Sequence, residues 1–146
     1  MTAALRTTSD VDVLRTAIVL TMERLCFASP EAFLEEPPAD ETLEAWVAFR
    51  GPSSGAVSIA LPRRSVSGFI EALLLPDARA EGLTPDDFVA ELANIVCGNA
   101  VPLIHGRNAS HVLSPPQPGR PDGPALATAV VELTGGWVAA TLHAAQ

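Results

Sequence analysis

The sequence predicts an α+β fold, an antiparallel sheet of about five strands packed with about three helices. Three observations carry this expectation. Apolar residues recur at helical spacing in three segments and alternate with period two in others. The segments run helix, two strands, two helices, then about three strands. The 146 residues, 48% hydrophobic and 18% charged, suffice for one core, so a single domain over residues 1–146 is expected. Much of the apolar content is Ala, aromatics make up only 5%, and Tyr is absent, so the elements should pack closely through small side chains.

Each element has its own local reason. Residues 9–27 read as a helix: Ser9 with Asp12 has capping-box spacing, and Val11, Leu14, Ile18, Met22 and Leu25 follow at helical intervals. The acidic, proline-bearing run from Glu35 to Glu41 reads as a solvated connection. Ala45 to Arg50 form a strand, Gly51 to Gly55 a turn, and Val57, Ile59 and Leu61 alternate with small residues in a second strand that Pro62 ends. Ser65 to Leu75 read as a short helix with Val66, Phe69, Ile70 and Leu73 inward, closed by Pro76, and a loop with Gly82 follows. Thr84-Pro85-Asp86-Asp87 is the strongest helix start in the chain, with a hydroxyl to cap, proline at the first helical position and acids in the first turn. That helix should run at least to Asn99, and Pro102 should kink or end it near Ala100–Ile104. His111 to Leu113 make a brief strand, and Pro115 to Pro124 a loop. Leu126–Leu133 and Trp137–Leu142 form a hairpin around Thr134-Gly135-Gly136, expected to present an apolar edge unless covered.

Composition excludes whole classes of function. All nine basic residues are Arg, so Schiff-base chemistry, a phosphate-loop lysine and a Ser–Lys dyad are ruled out. Seventeen acids bring the net charge to −8, which argues against nucleic acid as a partner. No run approaches the ~18 consecutive apolar residues of a membrane span. Arg6 is followed by Ser9, Asp10 and Asp12 rather than by an apolar leader, so no membrane partner and a cytoplasmic address are expected. Cys26 and Cys97 fall inside helical patterns and read as buried thiols. His105, His111 and His143 share no ligand spacing, there is no CxxC, and no metal site is expected. GxGxxG is missing, no Ser sits on an obvious strand-to-helix elbow, and Gly135-Gly136 is a hairpin turn.

What remains is the helix opened by Thr84. At about 100° per residue, Asp87, Glu91, Asn94 and Gly98 share one sector, while Phe88, Val89, Leu92, Ile95 and Val96 occupy another. Ala90, Ala93 and Cys97 flank the polar stripe, so nothing bulky stands on that side and a second protein could approach closely. An ordinary solvated face is the alternative. Two residues argue against it: Asn94 is a poor helix former, and Gly98 costs about 1 kcal/mol relative to Ala where burial offers no return. Asn99 points toward the apolar side, where a buried amide would tie down a loop carbonyl.

The run Asp87-Phe88-Val89-Ala90-Glu91-Leu92-Ala93-Asn94-Ile95-Val96-Cys97-Gly98-Asn99-Ala100 resembles the signature helix of the CheX/CheC/FliY chemotaxis phosphatases. In that signature an Asp or Ser is followed by Glu four residues on, Asn three after that, and a Pro some two dozen residues later. Asp87, Glu91 and Asn94 match, while Pro115 and Pro116 sit one or two positions early for the proline. One such helix in a chain of this length is similar to CheX rather than to CheC with its duplicated site.

The resemblance implies a phosphatase acting on the aspartyl phosphate of a response-regulator receiver domain, with the Glu and Asn pushed into the partner's site. The receiver, of the CheY type, would bring the phosphoaspartate, Mg²⁺ and a Lys; no cofactor is expected on this chain. Phosphoryl transfer to water needs positioning and charge stabilisation above all. Asn94 as a neutral amide can orient water beside an anionic phosphoryl group, where a carboxylate would be repelled. Glu91 is then the docking group, pairing with a receiver cation. Asp87 is either structural at the third helical position or part of the docking rim with Ala90 and Gly98. The resemblance also implies a two-fold homodimer. A non-catalytic, CheX-like binding or scaffold module is the alternative function.

Overall fold

Helices α1 (Asp10–Cys26), α2 (Arg63–Glu71) and α3 (Pro85–His105) alternate with strands β1 (Pro30–Leu34), β2 (Thr42–Arg50), β3 (Gly55–Pro62), β4 (Val112–Leu113), β5 (Gln117–Pro118), β6 (Ala125–Leu133) and β7 (Gly136–Ala144). These are the elements of a computed structural model that describes residues 9–73, 82–106 and 110–145. All strands join one antiparallel sheet in the order β1-β6-β7-β3-β2-β4, with β5 also paired to β2. The fold is the α+β arrangement expected, with seven strands in place of about five. β1 carries no period-two signal strong enough to read, and β5 is a two-residue pairing inside the Pro115–Pro124 loop.

The sheet has a covered face and a mostly bare one. Leu43, Ala45, Val47 and Phe49 of β2 pack with Val57, Ile59 and Leu61 of β3 and with the alternate residues of β6 and β7 beneath α1 and α3. Fully buried Leu14, Ala17, Ile18 and Met22 come from α1. Burying one such Leu or Ile stabilises the fold by roughly 1.5–3 kcal/mol. On the opposite face, Val130, Trp137 and Ala139 form a smaller cluster with Leu34 and Ala60.

The β6–β7 hairpin turns through Thr134 and Gly135, and Gly135 adopts φ +96°, a conformation that glycine adopts at no steric cost. The hairpin is not an edge, contrary to expectation. β1 flanks β6 and β3 flanks β7, so the most apolar strands sit inside the sheet with both sides paired. Among the described residues, the outer strands are β1 on one side and β4 with β5 on the other.

Local chemistry sets the helix ends. Ser9 accepts a hydrogen bond from the Asp12 amide at 3.1 Å and opens α1, and Phe27 ends it in the left-handed region. Helix α2 begins at Arg63, immediately after Pro62, and runs to Glu71; the expected stop at Leu75 and Pro76 lies outside the described residues. The 35–41 connection is anchored on the bare face by Asp40, which accepts from Arg64 at 3.0 Å and from the Trp137 indole N–H at 2.9 Å. These partners, Arg64 first, hold the Asp40 carboxyl below the ordinary carboxylate range.

Pro102 does not stop α3. The helix continues to His105, and the Gly106 amide closes it on the Pro102 carbonyl at 2.9 Å. The proline deprives the Gly98 carbonyl of one partner, a loss confined to the last turn. This helix is long and apolar enough to cross a membrane by length and composition alone. Here it lies on the sheet, with Phe88, Val89, Leu92, Ala93, Val96, Cys97, Ala100 and Val101 buried.

Candidate functional site

Helix α3 is fixed at its start, along its side and beneath. At its start, the Thr84 hydroxyl accepts from the Asp87 amide at 3.1 Å and the Asp87 carboxylate accepts from the Thr84 amide at 3.4 Å, a complete capping box. Asp87 therefore caps the helix, and its carboxylate stays exposed. Along its side, Asn99 Nδ2 donates to Thr21 Oγ1 at 2.9 Å, and that hydroxyl donates to the Ala17 carbonyl at 2.7 Å. The half-buried Asn99 thus ties α3 to α1, rather than to a loop carbonyl as expected. Phe88 stacks on Phe69 of α2, ring centroids 6.4 Å apart, and secures the first turns.

These anchors orient the polar stripe. Asp87, Glu91 and Gly98 are exposed, and Asn94 and Ala90 are half-buried beside them. No described residue hydrogen-bonds or ion-pairs with the Glu91 carboxylate or the Asn94 side-chain amide. Glu91 and Asn94, three apart, have Cβ atoms about 5–6 Å from each other, as one helical face requires. A Cβ added at Gly98 would meet only Leu113 Cδ1 at 3.9 Å, so β4 borders the stripe at that point without closing over it.

The helix is rolled slightly from the expected setting. Ile95 is half-buried rather than inward, while Ala93 and Cys97, expected beside the stripe, are fully buried. Small side chains let that flank sit close on its neighbours, and the tie from Asn99 to α1 holds the roll. Burial pushes the Cys97 thiol up to about 12 and that of Cys26 to about 11, so neither supplies a thiolate nucleophile. Among the described residues, no three His, Cys, Asp or Glu side chains gather as a metal site would need. Pro115 is exposed and Pro116 half-buried, just past β4.

A sequence-family model described as "Chemotaxis phosphatase CheX" matches residues 43–132, which takes in β2 from its second residue and all of β3 and α3. The chain belongs to the CheX family. Solved structures of chemotaxis proteins share its fold at low identity. The chemotaxis protein CheX of Vibrio vulnificus has a TM-score of 0.67 at 13% identity, covering 93% of this chain and 96% of that one. A putative chemotaxis protein of Desulfovibrio vulgaris Hildenborough gives 0.65 at 14%, with coverage of 93% and 96%. The CheX–CheY–BeF₃–Mg²⁺ complex of Borrelia burgdorferi gives 0.65 at 15%, with 92% and 97%. No curated protein matches the chain. The CheX assignment and the antiparallel α+β fold agree with the expectations from the sequence.

Proposed function

We propose that this CheX-family chain dephosphorylates the aspartyl phosphate of a CheY-like receiver domain, with α3 entering the receiver's site. The observation that carries the reading is an amide and a carboxylate, Asn94 and Glu91, one turn apart on a rigidly held helix with no partner among the described residues. Asn94 accepts a hydrogen bond from the attacking water through its carbonyl and holds that water in line with the phosphoryl group. Glu91 pairs with a cation of the receiver, complementing a chain of net charge −8 that contains no Lys. Any Mg²⁺ belongs to the receiver, where it would neutralise phosphoryl charge. Ala90 and Gly98 leave room for the receiver's backbone, and the exposed edge of the Asp87 carboxylate completes the rim. That the solved Borrelia CheX is in complex with CheY supports this partner class.

Assembly belongs to the same reading. The 1–146 chain acts as one CheX-like domain in the cytoplasm and pairs as a two-fold homodimer. The β1 edge supports such pairing, because Phe33 on it is 54% exposed.

The test is phosphate release from a panel of phosphorylated receivers of the same organism. Asn94→Ala should abolish acceleration while leaving the fold and receiver binding intact. Binding without acceleration by the unaltered chain would leave a scaffold module, and an Asn94→Ala variant as active as the parent would remove the assignment.

A further inference from the structure

The bare face of the sheet holds a cleft of about 490 Å³ on the side of the molecule away from the stripe of α3. Its volume lies within the roughly 300–1,000 Å³ of small-molecule sites. We infer that it binds a small planar aromatic monoanion, with the ring against Trp46 and the anionic group near Arg50. The inference is independent of the proposed phosphatase reading.

The shape follows from residue sizes. Ala48 and Ala56 are paired in register across β2 and β3, so the floor carries only methyl groups. Trp46, two residues before Ala48 on the same face, is half-buried and stands as a wall. The second wall is the 119–124 segment laid over the sheet. It is held there by the Gly119 amide donating to the Glu44 carbonyl at 3.0 Å, by His143 Nδ1 on the Gly123 carbonyl at 3.1 Å, and by the Ala144 amide on the Pro124 carbonyl at 2.9 Å. A Cβ at Gly123 would overlap the Ala144 carbonyl, so only glycine lets the segment lie this close. The cleft is therefore preformed, and a rigid ligand would lose little in ordering it.

The charge selects the ligand. Arg15, Arg63, Arg64 and Arg120 each have an acidic partner. Arg50, on the rim next to Trp46 and Ala48, has none among the described residues. Glu44 answers the Arg120 charge at 3.4 Å, which leaves Arg50 as the mouth's one cation without an acidic partner among the described residues, in a chain of −8 overall. That balance suits one negative charge rather than a polyphosphate. The indole and methyl surfaces call for a flat apolar body.

Calorimetric titration of the full chain with naphthalene-2-sulfonate tests this. The expected result is saturable one-to-one binding, weakened at least tenfold by Arg50→Ala, by Ala56→Leu, which fills the floor, and by replacing the sulfonate with a neutral hydroxymethyl group. Arg50 is exposed, so its variant keeps the test decisive even if Ala56→Leu fails to fold. Binding by Asn94→Ala should equal that of the parent; a loss there would place the ligand on α3 and overturn the inference. No saturation at millimolar ligand, an affinity unmoved by Arg50→Ala, or equal binding of the neutral analogue would overturn it as well.

Discussion

Replacing Gly98 by Ala separates what the helix needs from what a partner needs. Gly98 is exposed in the interior of α3 with a negative φ, so alanine takes the same backbone conformation without strain. The added Cβ would sit 3.9 Å from Leu113 Cδ1, an ordinary van der Waals contact. On helix propensity the variant should then gain about 0.8–1 kcal/mol. For a chain of this size that corresponds to a rise of about 3 °C in the melting temperature. If the receiver's backbone rests on this part of the helix, the methyl group holds it off, and turnover on the phosphorylated receiver should fall at least fivefold, about 1 kcal/mol. Circular dichroism melting and timed phosphate release, done on the same preparation, give both numbers. A more stable variant with unchanged turnover would refute close approach at Gly98. A less stable one would refute the packing argument itself.

Other outcomes follow from the same geometry. Glu91→Ala should weaken docking or turnover about tenfold, equivalent to ~1.4 kcal/mol, and the parent's receiver affinity should fall as salt is raised while the variant's responds less. Thr84→Ala removes the hydroxyl half of the α3 capping box and should cost about 1 kcal/mol in denaturant unfolding, with a matching loss of activity only near the melting temperature. His143 is buried, with Nδ1 on the Gly123 carbonyl and Nε2 on the Ser58 hydroxyl at 2.7 Å, and burial is the main cause that lowers its pKa below the ordinary 6.5. The unfolded chain therefore takes up this proton first, so its contribution is complete above pH 6.5 and is lost as pH falls from there through the folded value. Melting curves between pH 7.5 and 5 should show that decline, and His143→Gln should flatten it.

The sequence shows most where one residue acts locally. Thr84, Pro85 and Asp87 announce the start of α3 because capping is a three-residue event, and Gly135 announces a turn because it takes a left-handed conformation without steric cost. The polar stripe was legible for the same reason, since helical spacing alone places Glu91, Asn94 and Gly98 together. Its roll was not. Whether Ile95 or Ala93 faces inward depends on how closely α1 and the sheet approach, and the bond from Asn99 to Thr21 spans 78 positions. Likewise β1 and β5 exist because a neighbour offers hydrogen bonds, with little local preference behind them. The order of strands, which places the last hairpin in the middle, is a property of long-range pairing that no window of sequence contains.

That placement has a consequence for how the molecule comes into being. β7 is laid between β6 and β3, so until residues 136–144 have been synthesised, β3 has no neighbour on that side and the two halves of the sheet cannot join. Everything N-terminal to it must wait, with apolar strand edges open to other nascent chains. A message cut short before codon 136 would therefore yield aggregating material rather than a smaller working protein, even though every residue of the α3 stripe had already been translated.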